Sequence, residues 1–287
     1  MAQLKEIKSR IQSVKSTQKI TSSMMMVSSA RLVKAQRLIQ NLYPYEQHLY
    51  RILQLLSAEE EEEINSPFLQ ARTVKRVAIV AFSSNTGLAG RFNEDISDEL
   101  KKTVANYISL GKENIVLYPI GGKVAKAMGK IGIKPQGDYS NISENPSYAN
   151  AQKIAGELME MYRKEEIDRV ELIYHHFLTK GTQVIVNEPF LPIEPVIPDE
   201  KKYVANYIVE PDRKTILTDI IPKILKVKFY TAHIDSVTSE HAARMTAMRI
   251  ATDNADDLTE TLTLEYNKLR QQSITNELLD LIGGSFL

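Results

Sequence analysis

The 287-residue sequence is 43% hydrophobic and 25% charged, and its 36 basic residues equal its 36 acidic ones. This is the composition of an ordinary globular chain with room for one large domain or two modest ones, and its zero net charge names no polyanionic partner. It contains no cysteine, which excludes disulfides, thiolate metal sites and thiol catalysis.

The first predicted element is a long helix. Its apolar residues fall on a heptad, with one seam at Leu4, Ile11, Gln18, Met25, Leu32 and Ile39. A second seam runs Ile7, Val14, Thr21, Ser28, Ala35 and Leu42. Nine of these twelve positions are apolar or Ala, and no Gly or Pro occurs before Pro44. That pattern predicts a coiled-coil helix with a polar middle.

"AEEEEEINSP" (58–67) then reads as a charged linker. The middle of the chain alternates strand and helix signals. "VKRVAIVAFSS" is a buried strand, "RFNEDISDELKKTVANYISLG" an amphipathic helix, "NIVLYPIG" a second strand and "GKVAKAMGKIG" a short helix. "NPSYANAQKIAGELMEMYRKEEI" is a further helix. "DRVELIYHHFL" and "TQVIVNEPFLPI" are strands joined by the turn "TKG", a hairpin at the sheet edge. This order predicts an α/β fold with a largely parallel sheet. The apolar run "VAIVAF" is far too short to span a bilayer, and "MAQLKEIKSR" lacks the apolar block of a secretory signal. The chain is expected to be soluble while still able to sit on a membrane complex.

A Pro-rich segment, "EPVIPDEKKYVANYIVEPD", leads to a second long helix after Pro222. One seam there is Val227, Ile234, His241, Met248, Ala255, Leu262, Leu269 and Asn276. The other is Tyr230, Val237, Arg244, Ala251, Leu258, Glu265, Gln272 and Leu279. Globular helices average about 11–12 residues. Two helices several times longer need partners along their length, and each is the natural partner of the other. The first 40 residues carry eight basic side chains against Glu6 alone, a net +7, whereas residues 252–287 carry seven acidic against two basic, a net −5. An antiparallel alignment with Leu42 beside Val227 brings Leu4 beside Glu265, and it matches the basic start to the acidic stretch Asp253–Glu265. The predicted organisation is a coiled-coil helix over 1–57, a Rossmann-like α/β domain over 58–211 and a second coiled-coil helix over 212–287.

On this alignment the last helix outruns the first from Tyr266 onward. The overhang "NKLRQQSITNEL" is rich in uncharged hydrogen-bonding groups, whereas a helix facing only water tends to carry Lys and Glu. Such a tail is expected to hold another chain.

Candidate chemistry is sparse. "SSNTGLAGRFN" (83–93) sits after the first strand, where doubly wound folds bind phosphate, and Gly87 and Gly90 would let backbone amides approach an anion. The three-glycine dinucleotide fingerprint and the P-loop ending are both absent. A nucleotide-binding enzyme using this loop is the alternative reading, beside a tight strand-to-helix turn. His175 and His176 are adjacent in a strand and point to opposite faces, so they cannot easily share a metal. His48, His233 and His241 lack metal spacing. Met24, Met25 and Met26 read as a flexible packing patch. No catalytic set, metal site or cofactor is predicted.

The two ends carry a resemblance. "LKEIKSRIQSVKSTQKITSSMMMVSSARLVKAQ" is similar to the opening of the gamma subunit of F-type ATP synthases. "SEHAARMTAMRIATDNADDL" and "YNKLRQQSITNELLDLIGG" resemble its closing segment. The loop at 83–93 and "VEPD" at 209–212 match as well, so the likeness covers the whole chain in order. It implies an asymmetric antiparallel coiled coil carrying a Rossmann-like domain that performs no nucleotide chemistry. The implied role is a central rotor shaft, with alpha and beta subunits around the coil and epsilon and the membrane c-ring at the foot. The implied location is peripheral, on the cytoplasmic face of a bacterial-type plasma membrane. By the same resemblance Arg270, Gln271 and Thr275 match positions that touch the catch loops of catalytic subunits. Met24 and Arg244 match a coupling region of the coil, and Tyr207 and Glu210 match foot positions near the c-ring. The chain departs from the family at Ser22 and Ser23, where a Lys commonly precedes the Met, and at Ala89, where Cys is common.

Overall fold

A computed structural model describes residues 2–58, 66–144, 146–193, 209–210 and 212–284. The described residues form two compact units, one from Met1–Ala30 with Arg244–Leu287 and the other from Arg31–Ala243. Two long helices, α1 (Ala2–Ala58) and α6 (Arg213–Gly284), contribute residues to both.

In the larger unit, β1 (Val77–Phe82), β2 (Ile115–Ile120), β3 (Arg169–Phe177) and β4 (Gln183–Leu191) make one sheet in the order β2-β1-β3-β4. β1 is parallel to β2 and to β3, while β3 and β4 form the expected antiparallel hairpin. Alternation along β1 builds two cores. Ala78, Val80 and Phe82 point to one face, where they meet α5 (Tyr148–Arg163) through Ile154 and Leu158, α1 through Leu49 and Leu53, and α6 through Ile224 and Phe229. Val77, Ile79 and Ala81 point to the other face and meet Ile96 and Leu100 of α2 (Phe92–Tyr107) and Val124 and Met128 of α3 (Gly122–Ile131). A five-residue helix, α4 (Ser140–Glu144), was not expected from the sequence.

The sheet and its helices follow the sequence pattern, and each long helix runs through a proline. α1 continues through Pro44 to Ala58, and α6 begins at Arg213, nine residues before Pro222. Proline removes the amide that would bond the carbonyl four residues earlier. Here those residues, Gln40 and Thr218, are exposed, so water can serve the freed carbonyls. The start of α6 is fixed by Asp212. Its Oδ1 accepts from the Thr215 amide at 2.8 Å and its Oδ2 from the Thr215 hydroxyl at 2.7 Å. Those bonds hold the Asp212 carboxyl below its ordinary pKa.

The smaller unit is an antiparallel helix pair. All the predicted seam positions of α1 are buried or half-buried. On α6, Met248, Ala255 and Leu262 are buried as expected, but Leu258, Glu265, Gln272 and Leu279 are exposed. The second row is instead Thr252, Thr259, Tyr266 and Ser273, one residue further along. The register is also corrected. The Leu42–Val227 alignment sets Thr21 opposite Met248, whereas the Thr21 hydroxyl bonds the Thr252 hydroxyl at 2.8 Å in a buried position. The shift is four residues, about one helical turn. Heptad and charge patterns tolerate a one-turn slip, and this buried Thr–Thr bond decides between the alternatives.

The expected charge match does not take the form of ion pairs. Lys8, Lys15 and Lys19 are exposed and form none among the described residues, and Asp253 pairs with Arg249 of its own helix at 4.0 Å. The opposite net charges of the two stretches act as a diffuse field, and isolated exposed pairs would add only about 0–1 kcal/mol each.

Candidate functional site

The loop at 83–93 leaves β1 and faces the start of α3. A helix begins with four amides that lack partners within it, and these are what a phosphate would bind. At α3 the chain satisfies three of them, those of Gly122, Lys123 and Val124, and Ala125 makes the first bond of the helix itself. The Gly122 amide donates to Asn85 Oδ1 at 2.8 Å, Lys123 to the Ser84 carbonyl at 3.1 Å, Val124 to Ser83 Oγ at 2.9 Å, and Ala125 to the Gly121 carbonyl at 3.2 Å. Asn85 is itself fixed, donating to the Ser140 carbonyl and to Glu144, each at 2.9 Å. The loop therefore closes onto the start of α3 as a tight turn, and the first-turn amides of that helix are occupied by side chains and carbonyls of the protein.

Gly121 makes this closure possible. Its φ is +116°, and a Cβ there would stand 2.1 Å from the Ser83 carbonyl oxygen. We expect Gly121→Ala to destabilise the chain by about 3 kcal/mol or more, since strain and a backbone clash add. Gly122→Ala meets only ordinary contacts, the nearest at 3.5 Å, and should cost less than about 1 kcal/mol. Urea denaturation midpoints of the two variants test the contrast.

The C-terminal tail has the opposite character. Burial on α6 fades after Leu262. Tyr266, Asn267, Leu269 and Ser273 remain half-buried, and Ile274 to Leu279 are all exposed. The bare segment therefore begins about one turn later than Tyr266, as the corrected register requires. Arg270, Gln271 and Thr275 are exposed. The Thr275 hydroxyl donates to the Gln271 carbonyl at 2.9 Å, which leaves its lone pairs to accept from another chain. Between these polar groups the tail also exposes Ile274, Leu278, Leu279 and Leu281, the last at 71%.

The remaining sequence candidates are dispersed. Met24 is half-buried and Arg244 is buried at 7% exposure, both in the helix-pair unit. Counted from the Thr21–Thr252 contact, Arg244 falls opposite Ser29, about one turn from Met24, Met25 and Met26. Glu210 is exposed in the larger unit, and Tyr207 lies outside the described residues. His175 and His176 do take opposite faces of the sheet. His175 stacks on Phe92 of α2 with ring centroids 4.5 Å apart, and His176 meets Asp235 of α6. Sequence reasoning missed this last pairing, because residues 43, 176 and 235 share no local motif. Among the described residues no group of His, Asp or Glu is placed to hold a metal ion, and no helix is long and apolar enough to cross a membrane.

A family model described as ATP synthase matches residues 3–285. Over 298 residues the chain is 51% identical to the ATP synthase gamma chain of Bacteroides thetaiotaomicron, covering 99% of each. The chain belongs to the ATP synthase gamma-chain family. Its likeness to the Flavobacterium johnsoniae gamma chain is 42% over 285 residues, 99% of this chain and 98% of that one. Solved structures agree with the fold of this family. One chain of the Euglena gracilis mitochondrial ATP synthase (OSCP, F1 and c-ring, rotational state 3) matches with a TM-score of 0.62 at 18% identity, covering 98% of this chain and 93% of that one. A chain of the Tetrahymena thermophila mitochondrial ATP synthase central stalk and c-ring matches with a TM-score of 0.58 at 24% identity, covering 81% and 99%.

Proposed function

We propose that the chain is the central rotor shaft of a proton-translocating F-type ATP synthase. It couples rotation of a membrane ring to ATP synthesis and hydrolysis in surrounding catalytic subunits, and it supplies no catalytic side chain. The observation that carries this reading is the tail. In a chain similar to gamma chains along its whole length, the last turns of α6 expose neutral hydrogen-bonding groups that nothing among the described residues covers. A shaft must grip and release its housing many times. Many moderate hydrogen bonds suit that work better than a few locked, charge-assisted ones.

In this reading Arg270, Gln271 and Thr275 grip the alpha and beta ring, and Met24 and Arg244 belong to the part of the coil that carries the coupling. The foot, including Tyr207 and Glu210, meets the c-ring and the epsilon subunit. The functional parts are the segments 1–57 and 212–287 as the shaft and 58–211 as the foot. The chain works peripherally, on the cytoplasmic face of a bacterial-type plasma membrane.

The test uses purified chain and membranes depleted of it. The isolated chain should hydrolyse no ATP, and depleted membranes should lose proton-driven synthesis and regain it when the chain is restored. Robust hydrolysis by the purified chain, or undiminished synthesis without it, would refute the proposal.

A further inference from the structure

In the larger unit, α1 and α6 face β3 and β4 across a cavity of about 410 Å³. That is the size of a small-molecule site. Tyr43, Glu46, Gln47, Tyr50, Arg51 and Gln54 line it from one face of α1. Lys228 and Thr231 of α6, Tyr174 of β3 and Glu188 of β4 add to the wall. Buried charge is costly unless it is paired, so each charged group has to be accounted for.

Behind Tyr43 lies the Asp235 carboxylate. It accepts from the Tyr43 hydroxyl at 2.5 Å and the Phe177 amide at 2.8 Å, and it holds His176 Nδ1 at 2.6 Å. Glu188 accepts from the Tyr174 hydroxyl at 3.2 Å and stands 3.6 Å from the Lys228 ammonium. Lys228 also donates to the Pro189 carbonyl at 3.0 Å, and a third N–H remains on its ammonium. Glu46 and Arg51 are the other charged lining groups, one of each sign. Glu46 forms no ion pair among the described residues. Its helper is Thr231, 4% exposed, whose hydroxyl leans toward it without reaching ordinary hydrogen-bond geometry. Burial pushes the Glu46 carboxyl above its ordinary range, and Thr231 and Lys228 offset this only in part. Arg51 has a contact of its own within the protein, and its five N–H groups allow it to hold a ligand carboxylate as well. Glu46 and Arg51 are five residues apart on α1, outside the spacings of three and four at which helical side chains pair.

Lined by two carboxyls and two basic groups, the cavity is neutral in sum and strongly polar. A lone cation would crowd Lys228 and Arg51. A lone anion would crowd Glu46 and Glu188. An apolar molecule would leave Glu46 without a counter-charge. We propose that the cavity binds a small zwitterion of the amino-acid type, with its ammonium on Glu46, its carboxylate between Arg51 and Lys228 and its hydrocarbon body against Tyr50 and Tyr174. Such a molecule touches α1, α6 and the β3–β4 hairpin at once. The inference goes beyond the rotor reading and does not rest on it.

The test uses the full chain with 13C-labelled tyrosine at pH 7.5. Two zwitterions of different charge separation, 4-aminobutyrate and 6-aminohexanoate, are titrated beside butyrate and butylammonium, which carry one charge each. We expect at least one zwitterion to shift the ring signals of Tyr50 and Tyr174 saturably. It should bind about tenfold or more tighter than either singly charged probe, the size of one charge-assisted bond. Glu46→Gln should weaken the zwitterion about tenfold without weakening butyrate, and Arg51→Gln should weaken it as much without weakening butylammonium. Circular dichroism checks that both variants are folded. The proposal is overturned if neither zwitterion gives a saturable shift up to about 50 mM, or if all four probes bind alike. It is equally overturned if folded Glu46→Gln binds the zwitterion as the parent does. The probe comparison is made on the parental chain, so it decides the matter even where a variant fails to fold.

Discussion

Membranes carrying Arg270→Ala, Gln271→Ala and Thr275→Ala together are expected to synthesise ATP about tenfold or more below the parental rate. All three side chains are exposed on α6, so their removal deletes no contact within the helix pair. Alanine is the best helix former, so the isolated chain should melt at an unchanged or slightly higher temperature. What is lost is bonding to the housing. A charge-assisted bond from Arg270 is worth about 1.5–3 kcal/mol and the neutral ones less, and about 1.4 kcal/mol already corresponds to a tenfold change in rate. ATP hydrolysis should fall with synthesis. The measurement is the synthesis rate per assembled complex, with assembly quantified separately. Normal assembly with parental synthesis would show that the tail is not the gripping surface.

The second large effect concerns acid. His233 is 1% exposed, stacks on Phe82 with ring centroids 5.5 Å apart, and has no partner for either ring nitrogen among the described residues. Burial lowers its pKa from 6.5 to about 4. His175, 3% exposed, is lowered to about 4 by the same cause, with Asp95 pulling weakly the other way. Both are neutral when folded. Above pH 6.5 neither state binds the proton and the shift has no effect. Between 6.5 and 4 the unfolded chain takes up protons that the folded chain refuses, so stability falls as pH falls. At pH 5 each histidine should cost about 2 kcal/mol. Together they remove a large part of the roughly 5–15 kcal/mol of a typical domain. Denaturant midpoints at pH 7.5 and pH 5 measure the loss. His233→Phe keeps the aromatic contact with Phe82 and should remove about half of it. A flat profile in the parental chain would contradict the buried, neutral assignment.

Much of this architecture could be read in the sequence because burial imposes a period. "VAIVAF" is apolar at every position because both faces of β1 are covered, and the parallel pairing of β1 with β2 and β3 was expected from the alternation with helices. The helix pair was legible for the same reason, but its details were not. Ala251 and Leu258 look like seam residues by hydrophobicity, yet Leu258 is 48% exposed, while the polar-looking Thr252 and Thr259 sit inward. Their hydroxyls can turn inward because each donates to a carbonyl four residues earlier, at 2.8 Å in both cases. A hydrophobicity pattern cannot anticipate that satisfaction. Pro44 and Pro222 are tolerated inside the helices because Gln40 and Thr218, whose carbonyls lose an amide partner, are exposed residues. Of the candidate site, the tail was legible from its polar composition. The Asp235 junction was not, because only the folded chain brings residues 43, 176 and 235 together.

The exposed leucines and isoleucine of the tail bear on how the cell must make this protein. Ile274, Leu278, Leu279 and Leu281 lie bare at the end of α6, and each uncovered aliphatic side chain forgoes about 1.5–3 kcal/mol of burial. Copies synthesised beyond the number of waiting partners would carry these residues into solution with nothing to cover them. They would offer an adhesive end to each other and an unprotected one to proteases. On the proposed rotor reading, the supply of this chain has to be matched to that of the subunits that enclose it.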